Sequence, residues 1–528
     1  MSVISTRADN MTVVPRGMYR RISAVHPCIF LLSALALAPS LVTSSAAIGQ
    51  TVLQVNSTGD QIDVDTSDPN CQTIQGTCTL RAAVMQANHL TNLGAVIMVP
   101  AGTYVLGSPV DTDDDKSGDL NLLDPPGVQP GPTTIIGAGS ALTIIDGHGT
   151  DRVFNISSAR NISISKVSII NGLVASGSGG GINSPIGNLA LSDCVLSNNT
   201  ANGSKGDGYG GGVNAGGNVT INRCTFDGNQ SSVGGGGIYN FGTLIVGQSV
   251  FSANVSSTGG GIESAGTGHL WATQVTFTAN VARVEGGAVI NFSDPSELSL
   301  SSANGNISTL GGGGIENFGS LTISRTTVAG NTGGTGAGIR NSQGNLYIVN
   351  STITSNQAVV DGGGIVNFAT VNVYNSTIAF NEADSDADTV GDGAGVYNIA
   401  GATFNIRNTI LAGNYVAGEQ AYRDCIGTVG MYGSNRVSSV CVAAAGSQGY
   451  ATVIGSPYEL GTLQDNGGPT QTMAILPPSD MIAGGFQCWD FNGQPLTTDQ
   501  RGRPRPAGSS CDIGAFEFNE LFRSGFEP

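Results

Sequence analysis

Between residues 182 and 396 a glycine-rich step ending in Ile or Val recurs at Ile182, Val213, Ile238, Ile262, Val289, Ile315, Ile339, Ile365 and Val396. The intervals are 31, 25, 24, 27, 26, 24, 26 and 31 residues. Nothing else in the chain restricts its fold so strongly, because periods of roughly 20–50 residues belong to solenoids, propellers or arrays. A second landmark, an apolar residue followed three positions later by Asn, occurs at Phe226/Asn229, Phe251/Asn254, Phe277/Asn280, Val328/Asn331, Ile353/Asn356, Ile378/Asn381 and Leu411/Asn414. Asn199 and Asn304 fit as weaker copies.

Counting back from each Asn separates the architectures. Ten residues before it stand Leu189, Val219, Leu244, Leu270, Leu321, Leu346, Val371 and Phe404; eight before stand Leu191, Ile221, Val246, Ala272, Ile323, Ile348, Val373 and Ile406. Two apolar columns two residues apart describe a strand with one face inward. Six before, the column is polar (Asp193, Arg223, Gln248, Gln274, Arg325, Asn350, Asn375, Asn408), and the inward parity then slips by one, which marks a bend. Each repeat therefore supplies about three short strands and no helix. A propeller blade needs about 40–45 residues. The expectation is an all-β chain, a single-stranded parallel β-helix rising about 4.8 Å per turn, right-handed as parallel crossovers usually are. Asn240, Asn291, Asn317, Asn341, Asn367 and Asn398, with Ser264 substituting once, lie two residues after the repeat Ile or Val and would stack as a hydrogen-bonded ladder.

Composition agrees and excludes some partners. Glycine makes up 79 of 528 residues, charged residues only 11%, and the formal net charge is −17. Lysine occurs three times, at Lys116, Lys166 and Lys205. So acidic a chain repels phosphate backbones and anionic lipid, which excludes nucleic acid as a partner. Residues 1–47 read as a signal peptide: Arg16, Arg20 and Arg21 precede the mainly apolar run Cys28–Val42, and small residues follow at Ser44–Ala47. The run is shorter than the ~20 residues a membrane span requires, so no span is expected after leader cleavage. The expected location is secreted, extracellular or on the outer cell surface.

Eight cysteines follow Cys28, an even number suited to an oxidising compartment. They fall into near neighbours: Cys71–Cys78, Cys194–Cys224, Cys425–Cys441 and Cys488–Cys511. Eight cysteines allow 105 connectivities, and this set is the expectation. Cys194 and Cys224 both lie five before their Asn, which stacks them one turn apart, within disulfide reach. Residues 48–94 read as an N-terminal cap, in which Leu80, Ala83, Val84 and Ala87 form one apolar face of a short helix. The repeats extend over 95–415. Residues 416–518 lose the period, carry four cysteines and are expected to close the other end, followed by a tail at 519–528.

At the two ends the chain resembles known sequences. CTLRAAVMQAN at 78–88 resembles the CSLREA motif of secreted β-helix proteins, with Thr79 and Ala82 as departures. DNGGPTQTMAIL, DQRGRPRP and CDIGAFE, within 465–517, resemble the choice-of-anchor C-terminal region. The paired GGxI and FxxN repeats are similar to those of polymorphic outer-membrane proteins, which are adhesins. The resemblance implies a pectin-lyase-like β-helix on or outside a bacterial cell and no established catalysis. A membrane barrel of about 250 residues, as autotransport would require, is not expected after the repeats.

Two acidic runs and one column are the candidates for chemistry. Asp113, Asp115, Ser117, Gly118, Asp119 and Asp124 fall at positions 1, 3, 5, 6, 7 and 12 of an EF-hand-like pattern, and such converging oxygens suit calcium. Asp384, Asp386, Asp388 and Asp392 form a second run, without the glycine at position six. The column just after the repeat Ile is read as exposed. It places Glu263 and Glu316 two turns apart, about 9.6 Å, at the outer limit for an inverting hydrolase. Arg340 stacks next to Glu316 and would form a surface ion pair. The reading is a monomeric rod serving adhesion or surface structure, its partner an extracellular glycan or a host or cell-surface protein. The alternative is a pectate-lyase-like polysaccharide-active enzyme or a carbohydrate-binding module.

Overall fold

The computed structural model describes residues 49–90, 94–107, 115–125, 127, 130–204, 206–266, 268–419, 421–454, 457, 459–506 and 510–518. The expected signal peptide, the tail at 519–528 and Asp113 lie outside the described residues. The described chain winds into a parallel β-solenoid with four sheets along its length, of 12, 15, 14 and 10 strands in the order in which one turn visits them. One turn shows the plan. Ile315–Asn317 lies in the first sheet, Ser320–Ser324 in the second, Thr327–Ala329 in the third and Thr332–Gly333 in the fourth. The fourth strand, two residues long here and in most turns, was not expected; too short to show an alternation, it leaves no trace in the apolar pattern.

Equivalent residues stack in register. Leu321, Leu346, Val371 and Phe404 pair in succession in the second sheet, as do Ile323, Ile348, Val373 and Ile406. Their side chains belong to one continuous apolar core that runs from Leu53 to Cys441. The parity slip has a local cause: the polar column at the corner between the second and third sheets holds a left-handed backbone, with φ between 44° and 57° from Asp193 to Asn408. Such a residue reverses the direction of the backbone within one step, so the inward face restarts one position later.

Two amide ladders hold successive turns together. In the expected one, Asn291, Asn317, Asn341, Asn367 and Asn398 pass a side-chain hydrogen bond from turn to turn at 2.8–2.9 Å. The other is made by the landmark Asn itself: Asn199, Asn229, Asn254, Asn280, Asn306, Asn331, Asn356, Asn381 and Asn414 donate in succession at 2.8–3.0 Å. Asn306, not Asn304, fills the slot after Asn280, because Ala303 is the residue that stacks on Phe277. Asp424 ends the ladder. Its buried carboxylate accepts from Asn414 Nδ2 (3.0 Å) and from the backbone N–H groups of Ser438 (2.6 Å) and Ser439 (2.7 Å).

Disulfides join Cys71 to Cys78, Cys425 to Cys441 and Cys488 to Cys511, with Cα separations of 5.2, 5.6 and 6.3 Å. The expected Cys194–Cys224 bridge is absent; both are buried thiols. Their column is filled in later turns by Ser249, Ser301, Thr326, Ser351 and Ser376, whose hydroxyls donate to the carbonyl two residues earlier at 2.6–2.9 Å. The thiols make the same contact, Cys194 to Ser192 O at 3.3 Å and Cys224 to Asn222 O at 3.4 Å. The two thiols touch each other as hydrogen-bonding neighbours in successive turns and are not joined by a covalent bond.

Both ends depart from a plain coil. The helix Leu80–His89, started by Thr79 accepting from Ala82 N, packs on the strands Ala95–Val99 and Leu120–Leu122. Its Arg81 is fully buried and donates to the carbonyls of Gly118 (2.7 Å) and Asp119 (2.9 Å). At the other end the winding does not stop at 415. Cys425–Ile426, Thr428–Tyr432 and Ser434–Val437 add to the first, second and third sheets. Residues 459–518 then turn back along the third-sheet flank instead of closing the tip. Asp480 pairs with Arg436 (2.9 Å), Phe486 O accepts from Asn408 (2.9 Å), Thr498 O from Asn350 (2.9 Å), and Gln500 donates to Thr327 (2.9 Å). The motif residues of this strap bond mainly to one another. Arg505 pairs with Glu517 (2.6 Å), Arg501 pairs with Asp499 (2.7 Å), and the Arg501 guanidinium lies 3.6 Å from the centre of the Phe516 ring. Among the described residues no helix is long and apolar enough to cross a membrane.

Candidate functional site

The glutamate column is in register as expected: Glu263, Ile290, Glu316 and Arg340 pair in successive turns of the first sheet. It is not exposed. Glu263 is 8% and Glu316 0% accessible, and Ile290 between them is buried too. The cause is the glycine-rich connection entering the first sheet, which folds over its outer face with Gly234 against the Glu263 carboxylate and Gly311 against that of Glu316. Thr258 donates to Glu263 at 2.6 Å. Glu316 accepts from Gly312 N at 2.9 Å and from the Ser342 hydroxyl at 2.6 Å. Arg340 stands 3.7 Å from Glu316 and 3.3 Å from Glu285, with its guanidinium 5.1 Å from the centre of the Phe368 ring. Arg340 thus ties two turns together, and the expected surface ion pair is largely covered. Burial pushes the Glu263 and Glu316 carboxyls up to about 7, Arg340 opposing the rise at Glu316. Two carboxyls under a backbone cover have no room for a sugar between them.

The acidic runs differ. In the first, Asp115 accepts from Asn88 at 3.4 Å, and Asp119 bonds Asn121 and pairs with Arg152 at 3.4 Å. Asp124 turns away to the Ser158 hydroxyl (2.5 Å) and Ala159 N (3.1 Å). Among the described residues Asp115, Asp119 and Asp124 do not converge; they help to hold the first turns and the helix together, while Ser117 is half-buried beside them. The second run does converge: Asp384, Asp386 and Asp388 bring carboxylate oxygens within 4.8 Å of one another. Asp384 also accepts from the N–H groups of Asp388 and Thr389, which folds the loop on itself. Asp392 is elsewhere, 3.9 Å from Arg423.

A concave surface among the described residues lies at another place, the corner between the first and second sheets. A groove of about 500 Å³ crosses five turns there. One wall is the first residue of four successive long strands, Asn188, Asn218, Thr243 and His269, stacked in register, with Asn161 continuing the row just beyond the groove. The exposed amides form a row, Asn218 donating to Asn188 at 2.9 Å and Asn188 to Asn161 at 2.7 Å. The floor is glycine: Gly187, Gly217, Gly242 and Gly268 stack so closely that any Cβ would strike the backbone of the turn before. Phe241, 39% exposed, forms the opposite wall, with Tyr239 tilted against it at 6.1 Å and Tyr209 beyond at 4.2 Å. Trp271 sits next to His269, 5.0 Å between ring centres.

The chain matches no protein-family model and no curated protein. Several solved β-helix structures are similar to it. A PL6 alginate lyase in complex with a trisaccharide aligns at 12% identity over 87% of this chain and 96% of its own, with a TM-score of 0.40. The A-module of an Azotobacter vinelandii mannuronan C-5 epimerase aligns at 17% identity over 68% and 89%, TM-score 0.35. Pectate lyase Pel9A aligns at 15% identity over 89% and 98%, TM-score 0.32. These likenesses concern fold, and the groove of this chain is read from its own residues.

The sequence carried a signal for the groove that composition hid. Aromatics are few, 6% of residues, yet Phe241, Phe292, Phe318 and Phe368 all stand three positions after the repeat Ile or Val, on this corner. Phe292 and Phe318 stack at 4.7 Å, which extends the aromatic edge beyond the groove.

Proposed function

We propose that this protein is a secreted or cell-surface β-helix that binds an extended polysaccharide along the corner groove, serving attachment or surface structure and not turnover. The observation that carries the reading is the groove itself: an aromatic wall for the apolar face of a sugar ring, and a facing row of amides for its hydroxyls. The polar row is repeated at the spacing of the turns, and Phe241 supplies the aromatic wall at one of them. Asn offers two donors and an acceptor from one flat group, which suits a diol. Contacts repeated along a rigid wall add through multivalency, so a shallow site can hold a long chain. The three disulfides favour an oxidising, extracellular setting. Catalysis on the glutamate column is disfavoured by its cover.

The test is binding and turnover measured together. Affinity electrophoresis through gels containing soluble polysaccharides should retard the protein, and Phe241→Ala should weaken retardation about tenfold, in line with roughly 1–1.5 kcal/mol for a lost stacking contact. Incubation with the same polymers should release no reducing or unsaturated ends. Release that disappears in Glu316→Gln would replace this reading with the enzyme alternative.

A further inference from the structure

Resting on the groove reading, we infer that the site takes an uncharged glycan chain and rejects polyuronates. A uronate carries a carboxylate on every ring, and taking it from water into a protein site calls for a cation or several charge-assisted donors. The groove provides neither. Its described lining is Asn, Thr, Gly, Ala, Phe and His, without Lys, Arg, Asp or Glu. The basic side chain nearest in sequence to the lining, Arg160 beside Ala159, is turned inward, donating to Asn88 Oδ1 at 2.6 Å and to Ala87 O at 3.3 Å. Arg223 lies at the far end of its strand from Asn218 and is paired with Asp193 at 2.7 Å. The His269 ring is held at Nδ1 against Pro295 O, 3.1 Å away. A chain of net charge −17 adds a long-range repulsion against any polyanion.

The same geometry fixes the length of the ligand. Asn188, Asn218, Thr243 and His269 stand one per turn, about 4.8 Å apart, close to the advance of one pyranose in an extended chain. Affinity therefore rises with each added ring up to about four and then levels off.

The experiment uses the mature chain at about 0.15 M salt against two sets of probes: neutral polymers (xylan, mannan, mixed-linkage β-glucan) and polyuronates (polygalacturonate, alginate). Calorimetry with graded oligosaccharides of the polymer that binds reads the length dependence. At least one neutral polymer should bind and neither polyuronate should. The double variant Asn218→Lys, Thr243→Lys should gain polyuronate binding at least tenfold, and that gain should fade with added salt. Polyuronate binding by the unaltered protein that Phe241→Ala abolishes would overturn the selectivity and leave the groove standing. Binding of no polymer, or binding untouched by Phe241→Ala, would overturn both.

Discussion

Asn280 sits in the middle of the longer amide ladder and is fully buried. Its Nδ2 donates to Phe251 O and to Asn306 Oδ1, each at 2.9 Å. Its Oδ1 accepts from Asn254 N (3.1 Å) and Asn254 Nδ2 (2.9 Å). Asn280→Ala removes all four bonds where water has no access; Asn254 N is left without that acceptor, while Asn306 Oδ1 keeps the residue-280 N–H (3.0 Å) and Asn254 Nδ2 keeps Phe226 O (3.0 Å). Lost buried hydrogen bonds cost about 1 kcal/mol each and an unsatisfied buried N–H adds to that, so the loss should be roughly 4 kcal/mol. Neighbouring turns in a solenoid stabilise each other, so the damage should spread along the axis. Urea unfolding followed by far-UV circular dichroism reads the total, and hydrogen exchange should show lost protection in the turns on both sides. Asn218→Ala is the matched control: the same residue type and a similar amide bond, but exposed, with an expected loss under about 0.5 kcal/mol. A loss under about 1 kcal/mol for Asn280→Ala, or equal losses in the two variants, would refute the claim that burial gives the ladder its strength.

Three further outcomes are expected. The Glu263 and Glu316 carboxyls, raised from 4.5 to about 7, are protonated in the fold at pH values where the unfolded chain has lost the proton. Each therefore contributes stability that is complete below about pH 4.5 and lost as pH rises through 7, up to about 3 kcal/mol per group. Glu263→Gln should shrink the difference in melting temperature between pH 5 and pH 8; an unchanged difference would contradict the assignment. Alkylation in denaturant without reductant should label Cys194 and Cys224 and spare the six bonded cysteines, and Cys194→Ser should cost under about 1 kcal/mol because serine fills that slot in later turns; a linked 194–224 peptide would refute this. Calcium removal should leave the unfolding transition unmoved as far as residues 113–124 are concerned, because Asp119 and Asp124 already bond Asn121, Arg152, Ser158 and Ala159. A chelator-sensitive transition abolished by Asp119→Asn would oppose that.

What could be read in the sequence was whatever repeats along the axis. The columns at Leu321 and Ile323, the bend after them and the ladder through Asn317 each leave a periodic mark, because stacking puts like on like. Relations around the circumference leave none. Glu263 has the right parity for an outward residue, and only the path of the connection through Gly234 decides that it is covered. Cys194 and Cys224 have the right spacing for a bond and touch as thiols, yet they occupy a column that serine and threonine fill in later turns, so the spacing reflects stacking and not a bridge. The return of residues 459–518 along the flank pairs Gln500 with Thr327, 173 residues apart, which no local pattern announces. The groove was hidden for another reason: its glycines look like turn residues, and their stacking appears only when the turns are laid on each other.

The variable length of the repeat is carried mainly at one corner. The two longest intervals hold their extra residues in the segments 202–210 and 384–394, both between the fourth sheet and the first. The bend into the third sheet and the amide ladders fix the spacing around the remainder of the circuit. A mutation that lengthens the chain can therefore survive along a single seam, and there it emerges as an outgrowth that leaves the pitch of the rod intact. Lineages of such proteins would diversify as a spine does, by adding processes on one side while the vertebrae keep their shape.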